Sequence, residues 1–480
     1  MNKKKSVSLL LLLVIAFTAM YISLIFNKNI WTDEAYTMEL VRENSFWGII
    51  RNTANDVHPP LYYLIVKCFV LLLGDAFPVY KAVSVIPMAL TMLLALTHVR
   101  PWCGGRTAAL FIVMVNAIPC VAEYVVQMRM YSWALFFVTW AGLAAYGICT
   151  QEDQRTRRRC CIQLAAASLL GCYTHNYAML SCVCIYLFVC VYALVYGIRD
   201  KNWALLWACL ISGGAVAVCY LPWLVVLFRQ TTSRIENYWI APVTWQVIRE
   251  YPDFLFASRL PGSTVLYMIL CGAAVLLCMK RCIRCRISSH KKGGGEGMRD
   301  VAALMLLAVP VMTAAIGIAV SLLVTPFFIA RYLLPCMGLL ALFLALAFRE
   351  KSGQVQILLA VFGVLMVFHS YQKNYEEEYH STQTDELLAY MEEHLGQEDL
   401  IVYNYEIYGF IYNIYFPDRV TFLGDVDFAG DFGTIWYFDS CVSPWLDTQL
   451  LEQNGLEKEY VMTTGIEQNE FQLYRISHKE

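Results

Sequence analysis

The sequence predicts an all-α polytopic membrane protein followed by a small extracytoplasmic α/β domain. Three observations carry this expectation. Of the 480 residues, 59% are hydrophobic and only 15% charged, with a mean hydropathy of +0.51; soluble chains sit nearer half apolar and a quarter charged. The apolar residues fall in runs of about twenty, the length that spans a bilayer core. The basic clusters occupy alternate loops between those runs, as the positive-inside rule requires.

The first run, Ser6–Phe26, follows Lys3-Lys4-Lys5. It is too long for a signal-peptide core and no Ala-x-Ala site ends it, so it reads as an uncleaved anchor with a cytoplasmic N-terminus. The segment 27–79 is then the first outer loop. Within it Pro60–Gly74 is apolar but only about fourteen residues long, too short to cross, and reads as an interfacial or re-entrant helix. Spans follow at Tyr80–Val99, Thr107–Ala122, Ser132–Thr150, Cys160–Cys172, Ala178–Gly197, Trp203–Phe228, Ser263–Met279, Val301–Val324, Tyr332–Phe348 and Gln354–Tyr371. With the anchor that makes about eleven transmembrane helices. Arg155–Arg159 and Lys280–Arg299 fall on the cytoplasmic side without adjustment; a crossing at Pro60–Gly74 would invert both.

From Tyr371 the chain turns acidic and soluble, with Glu376-Glu377-Glu378 and Glu392-Glu393. Thr384–Leu395 has helical spacing. Leu400–Tyr405, Val420–Leu423, Thr434–Phe438, Glu459–Thr464 and Phe471–Ile476 read as strands. The expected domains are 1–371 in the membrane and 372–480 outside it.

The formal charge of −2 and the absence of a glycine-rich phosphate loop leave no sign of a nucleic-acid or nucleotide partner. Most of the 18 cysteines lie inside apolar runs, where they act as small hydrophobes. Cys282-Ile283-Arg284-Cys285 has no second pair and reads as part of a solvated basic loop rather than a zinc site.

The topology gathers a set of polar residues at the outer ends of the spans: Asp33, Glu34, Asp56, His58, Glu123, Arg129, Tyr131, His175 and Arg331. Ionisable groups near a bilayer are costly and mark function by default. Each also has a plain structural role open to it. Thr32 caps a helix expected to run to about Arg51, and Asp33 and Glu34 in its first turn complement the dipole. His58-Pro59-Pro60 starts the interfacial helix. Arg129 and Arg331 can reach lipid headgroups, and arginine also grips phosphate in a bidentate way. Taken together the residues suit sugar transfer from a polyprenyl phosphate. That leaving group departs already ionised, so the site needs one carboxylate to deprotonate the acceptor and cations to hold the phosphate. The outer aromatics Trp239, Trp245 and Tyr251 are interfacial anchors or cavity walls.

Trp31-Thr32-Asp33-Glu34-Ala35-Tyr36 and Asp56-Val57-His58-Pro59-Pro60-Leu61-Tyr62-Tyr63 resemble the first outer loop of the GT-C glycosyltransferases, in their protein O-mannosyltransferase and aminoarabinose transferase branch. Weaker matches follow in order: Gln127-Met128-Arg129-Met130-Tyr131 to an Arg-x-Tyr motif, Tyr173-Thr174-His175-Asn176-Tyr177 to a Thr-His-aromatic segment, and Ala330-Arg331-Tyr332-Leu333-Leu334-Pro335 to an Arg-Tyr-Leu-Leu-Pro motif. The resemblance implies juxtamembrane helices in the first loop and inverting transfer from a polyprenyl-phosphate monosaccharide to a glycan, lipid or protein acceptor. It implies Asp33 as the catalytic carboxylate. Glu34, Asp56, His58, Arg129, Tyr131, His175 and Arg331 are the expected substrate-binding residues, with Arg331 on the donor phosphate. His before Pro-Pro is the mannosyl type; the aminoarabinose branch has Lys. The inserted β-trefoil of the protein mannosyltransferases is missing, which puts a protein acceptor in doubt. No cofactor is implied with certainty, and a divalent cation is left open, although the paired acidic motif of related oligosaccharyltransferases is lacking. The expected location is a bacterial plasma membrane. A polyprenyl-lipid or polysaccharide flippase would want charges at mid-membrane, whereas here they lie at span ends. A non-catalytic scaffold would leave Asp33 dispensable.

Overall fold

The computed structural model describes residues 3–26, 30–233, 240, 242–288, 294–324, 326–379, 382–466 and 469–479. The described helices are, in chain order, α1 (Lys3–Ile22), α2 (Thr32–Glu43), α3 (Phe46–Asn55), α4 (Leu61–Leu73), α5 (Phe77–Leu94), α6 (Gly105–Ala117), α7 (Pro119–Tyr124), α8 (Tyr131–Thr150), α9 (Gln154–Cys172), α10 (Asn176–Asp200), α11 (Ala204–Ser233), α12 (Trp245–Phe256), α13 (Ser263–Ser288), α14 (Gly294–Leu323), α15 (Met337–Ala347) and α16 (Gly353–Tyr379). A π-turn and one further helical turn prolong α5 to Cys103, and a 3-10 turn, Ala330–Cys336, leads into α15. After α17 (Thr382–His394) come β1 (Leu400–Tyr403), α18 (Gly409–Tyr415), β2 (Val420–Phe422), β3 (Ile435–Asp439), α19 (Thr448–Gln453), β4 (Leu456–Ile466) and β5 (Asn469–His478). The chain forms two compact units. The first is the helical bundle; the second joins α2 to everything from Tyr375 onward.

Nine helices among the described residues are long and apolar enough to cross a membrane. This is a polytopic membrane protein. Two further expected spans form helices that fall short of that standard for clear reasons. α6 has only 13 residues. α9 opens on Arg155, Arg157, Arg158 and Arg159. α4, also 13 residues, is about 20 Å long at 1.5 Å per residue, well short of a bilayer core. Its last turn, Leu71–Leu73, is exposed.

Helices pack in the bundle where small residues let backbones approach. At Gly338, in α15, a Cβ would collide with Thr139 of α8, and at Gly142 one would collide with Leu339. At the end where the basic loops lie, Asp300 is 1% exposed. It accepts from Arg281 Nη2 at 2.7 Å and Arg349 Nη1 at 2.9 Å, while Arg281 Nη1 donates to the Ala347 carbonyl at 2.8 Å. One carboxylate thus ties α13, α14 and the end of α15 together. Asp300→Asn leaves the two half-buried guanidiniums only the more exposed Glu350 as counter-charge, 2.9 Å from Arg349 and 3.9 Å from Arg281. We expect a loss of about 2 kcal/mol, below the ~3–5 kcal/mol of removing a buried partner outright, read as a lowered unfolding midpoint in detergent.

Two expectations about local structure are corrected. The helix expected from Thr32 to about Arg51 breaks at Asn44-Ser45, because Ser45 Oγ accepts the Gly48 N–H at 3.1 Å and caps a new helix, α3. Cys282 and Cys285 lie on helix α13 rather than in a loop.

The second unit is a five-stranded mixed sheet, order β2-β1-β3-β5-β4. β1 pairs in parallel with β2 and β3; β5 pairs antiparallel with β3 and β4. β3 is buried along its whole length, as a central strand covered on both faces should be. Helix α2 belongs here. Tyr36 meets Phe410 of α18 edge-on, with ring centroids 5.4 Å apart, and Asn469 Nδ2 donates to Thr32 Oγ1 at 3.1 Å.

Candidate active site

Within the bundle, four chain segments converge at one end. The first is the turn between α3 and α4, which carries His58. Asn176 Nδ2 donates to the Val57 carbonyl at 2.9 Å, and the Leu61 N–H donates to the Tyr173 carbonyl at 3.0 Å. Gln230 Nε2 donates to the Thr53 carbonyl at 3.0 Å. The turn is therefore pinned to α10 and α11 by side-chain amides, not by packing alone.

The second segment is Thr174-His175-Asn176, where each polar side chain has a task. Thr174 Oγ1 donates to the Leu170 carbonyl at 2.7 Å, and Asn176 holds the His58 turn. His175 caps α10: its Nδ1 accepts the Tyr177 N–H at 3.0 Å. A backbone N–H only donates, so Nδ1 carries no proton and the neutral ring carries it on Nε2. His175 is 1% exposed, and Nε2 has no hydrogen-bond partner among the described residues.

The third and fourth segments bring the arginines. Arg129 is buried before α8, with Ser84 Oγ donating to its carbonyl at 3.4 Å. Arg331 is half-buried in the 3-10 turn before α15. Aromatic rings knit the cluster: His175 lies 5.8 Å from His58, 5.6 Å from Tyr131 and 5.5 Å from Tyr332, centroid to centroid.

The electrostatics are one-sided. Burial holds the His58 imidazole well below its usual pKa, and Arg129, His175 and Arg331 push the same way. Burial, then Arg129 and Arg331, bring His175 down to about 3. Both rings are neutral beside two permanent cations. The sign of the pH effect follows. Between about pH 3 and 6.5 the unfolded chain binds protons at these histidines that the folded chain refuses, so stability falls as the pH drops through that window. His175→Asn keeps an N-cap acceptor and removes the imidazole. We expect this variant to lose less stability than wild type between pH 6.5 and 4, measured by thermal unfolding at each pH.

A cavity of about 440 Å³ opens beside the cluster. His58, His175, Asn176 and Gln230 line its polar part; Leu180, Leu227, Ile316, Val320 and Val324 line the rest. The lining suits a ligand with a polar head and an apolar tail; Arg129 and Arg331 belong to the neighbouring cluster and do not line the cavity.

The structure thus gathers His58, Arg129, Tyr131, His175 and Arg331. Asp56 is close to them in sequence, as the half-buried C-cap of α3. Asp33 and Glu34 lie in the second unit, in the first turn of α2. Glu34 accepts the Trp31 N–H at 3.1 Å, which is half of a capping box. Asp33 is half-buried. Of the outer aromatics, Trp245 is 66% exposed, whereas Tyr251 is buried edge-on against Phe328 at 5.5 Å. Neither lines the cavity, and Trp239 lies outside the described residues. Sequence reasoning passed over Asn176, Gln230 and Lys81. Lys81 is fully buried in α5, one turn from Ser84, and its place in an apolar run was the available signal. Among the described residues no three His, Cys, Asp or Glu side chains converge as a metal site.

The helical bundle and the sheet domain share their fold with a solved structure. The chain is similar to ArnT from Cupriavidus metallidurans bound to undecaprenyl phosphate, with a TM-score of 0.58 over 98% of both chains at 12% identity. The apo form of that protein gives a TM-score of 0.48 at 14% identity, again over 98% of both chains. At these identities the likeness is one of fold. No protein-family model matches the chain, and no curated protein matches it.

Proposed function

We propose that the protein is an inverting glycosyltransferase that takes a monosaccharide from a polyprenyl-phosphate donor at the outer face of a bacterial plasma membrane. The observation that carries this reading is the pairing of two arginines and two neutral histidines with an apolar cavity. The solved ArnT structure with undecaprenyl phosphate supports it at the level of fold. In this reading Arg129 and Arg331 hold the phosphate, and the His175 Nε2–H donates to it. The C1–O bond to phosphate breaks, and its electron pair leaves on the phosphate oxygen. Asp33 takes the proton of the acceptor hydroxyl or amine, whose oxygen or nitrogen bonds to C1 from the opposite face. Stabilising the departing oxyanion with fixed donors is the main contribution of the cluster. His58 stands where the resemblance puts a lysine in the aminoarabinose type, and on that resemblance the mannosyl type is the closer one.

The test is lipid binding to the purified full chain by native mass spectrometry, with undecaprenyl phosphate and undecaprenol side by side. Two charged contacts predict at least about 100-fold preference for the phosphate, some 2.7 kcal/mol. Equal binding of the two lipids would remove the phosphate site and the reading built on it.

A further inference from the structure

A second cavity, of about 260 Å³, lies in the bundle apart from the cationic cluster. Its walls come from α7, α12 with the three residues that follow it, and the end of α16. Glu123 Oε2 and Lys373 Nζ meet at 2.9 Å across it. Asp253 and Arg259 line the facing wall. Asn374, buried, donates from Nδ2 to the Ala122 carbonyl at 2.8 Å and so fixes α16 against α7. Ser370 lines the cavity and is 4% exposed, yet its hydroxyl has no hydrogen-bond partner among the described residues. A buried hydroxyl left without a partner costs stability; such a group at a cavity wall waits for a ligand or water.

The chemistry of the walls selects the ligand. Carboxylates and cations are equal in number, and Glu123 and Lys373 already neutralise each other. An ion would have to break that pair. A sugar hydroxyl both donates and accepts, so it bridges a carboxylate and an ammonium without separating them. Phe254 adds an apolar face at the same wall. The volume is below the range of about 300–1,000 Å³ that holds drug-sized ligands, and suits one sugar ring. The cavity also adjoins the cationic cluster through a short run of rings. Phe254 lies 6.1 Å from Tyr124, Tyr124 lies 5.1 Å from Tyr131, and Tyr131 lies 5.6 Å from His175.

From these observations we infer that this cavity is a carbohydrate-binding subsite that holds one sugar residue of the acceptor. Its role for the acceptor rests on the transferase reading above; the binding of sugar does not. The experiment is saturation-transfer NMR on the full chain in lipid nanodiscs, with methyl glycosides of hexoses, N-acetylhexosamines and pentoses, and with phosphoethanolamine. Asp253→Asn and Ser370→Ala are compared with wild type, and undecaprenyl phosphate binding is measured on each. At least one glycoside is expected to bind. Each variant should weaken it about 3–10-fold, the loss of one hydrogen bond, with unchanged lipid-phosphate affinity. Ser370→Ala removes an unpartnered group, so its unfolding midpoint should hold or rise; weaker binding there is not a folding defect. Absence of any glycoside signal, signals equal in the variants, or binding of phosphoethanolamine alone each overturns the inference. Failure of wild type to bind undecaprenyl phosphate would instead sink the transferase reading and leave the sugar result standing.

Discussion

Asp33→Asn is expected to lower sugar transfer by about 10²–10⁴-fold, the range for losing a positioned general base, while undecaprenyl phosphate affinity stays at the wild-type level. The substitution keeps the size and the α2 helix, whose first turn it occupies. It removes only the charge and basicity. The neighbouring acid provides the contrast. Glu34 is 3% exposed and accepts the Trp31 N–H; Glu34→Gln keeps that acceptor and loses only the charge at the helix N-terminus, so it should cost about 0.3–1 kcal/mol of stability and far less activity than Asp33→Asn. A result in which the two variants lose activity equally would undo the assignment of the base. Because α2 folds with the sheet domain, a chain truncated before Tyr375 should lose activity with Asp33 intact. That outcome gives the C-terminal domain a role as the support of the catalytic helix.

The second large effect is expected at the arginines. Arg129→Ala and Arg331→Ala should each weaken undecaprenyl phosphate binding by about 30–150-fold, roughly 2–3 kcal/mol for a charge-assisted contact in a buried site. Lysine at either position should recover only part of this, since it cannot make the bidentate contact. Each alanine variant also removes positive potential from His58 and His175, where both arginines hold the imidazoles down. Their pKa values should rise, and the variants should resist mild acid better than wild type. Loss of phosphate affinity combined with gain of acid tolerance separates a charge effect from general damage.

Much of this was legible in the chain. The strands were read within a few residues of their observed ends because buried strands bounded by turn residues leave a local signal; Thr434–Phe438 against β3, buried throughout, is an instance. The shortness of helix α4 was legible from the length of its apolar run alone. The grouping of Arg129, His175 and Arg331 at one end followed from counting crossings. Other features were not local. Nothing in Thr32–Glu43 announces that this helix packs on α18, since Tyr36 and Phe410 are far apart in sequence. The break at Ser45 was hidden because Asn44-Ser45 interrupts a helical pattern without a proline or glycine at the junction. The tautomer of His175 depends on one backbone contact, and the second cavity on side chains from three distant segments. Such facts appear only once the chain is folded.

The central claim is that a glycosidic phosphate bond is broken. The most direct measurement follows doubly labelled polyprenyl-phosphate sugars with the purified full chain in proteoliposomes supplied with cell-envelope acceptors. The account predicts that the sugar label passes to an acceptor while the lipid label is recovered as polyprenyl phosphate, one for one, with inverted configuration at C1. Both labels crossing the bilayer together on an intact donor would contradict it and identify a transporter instead.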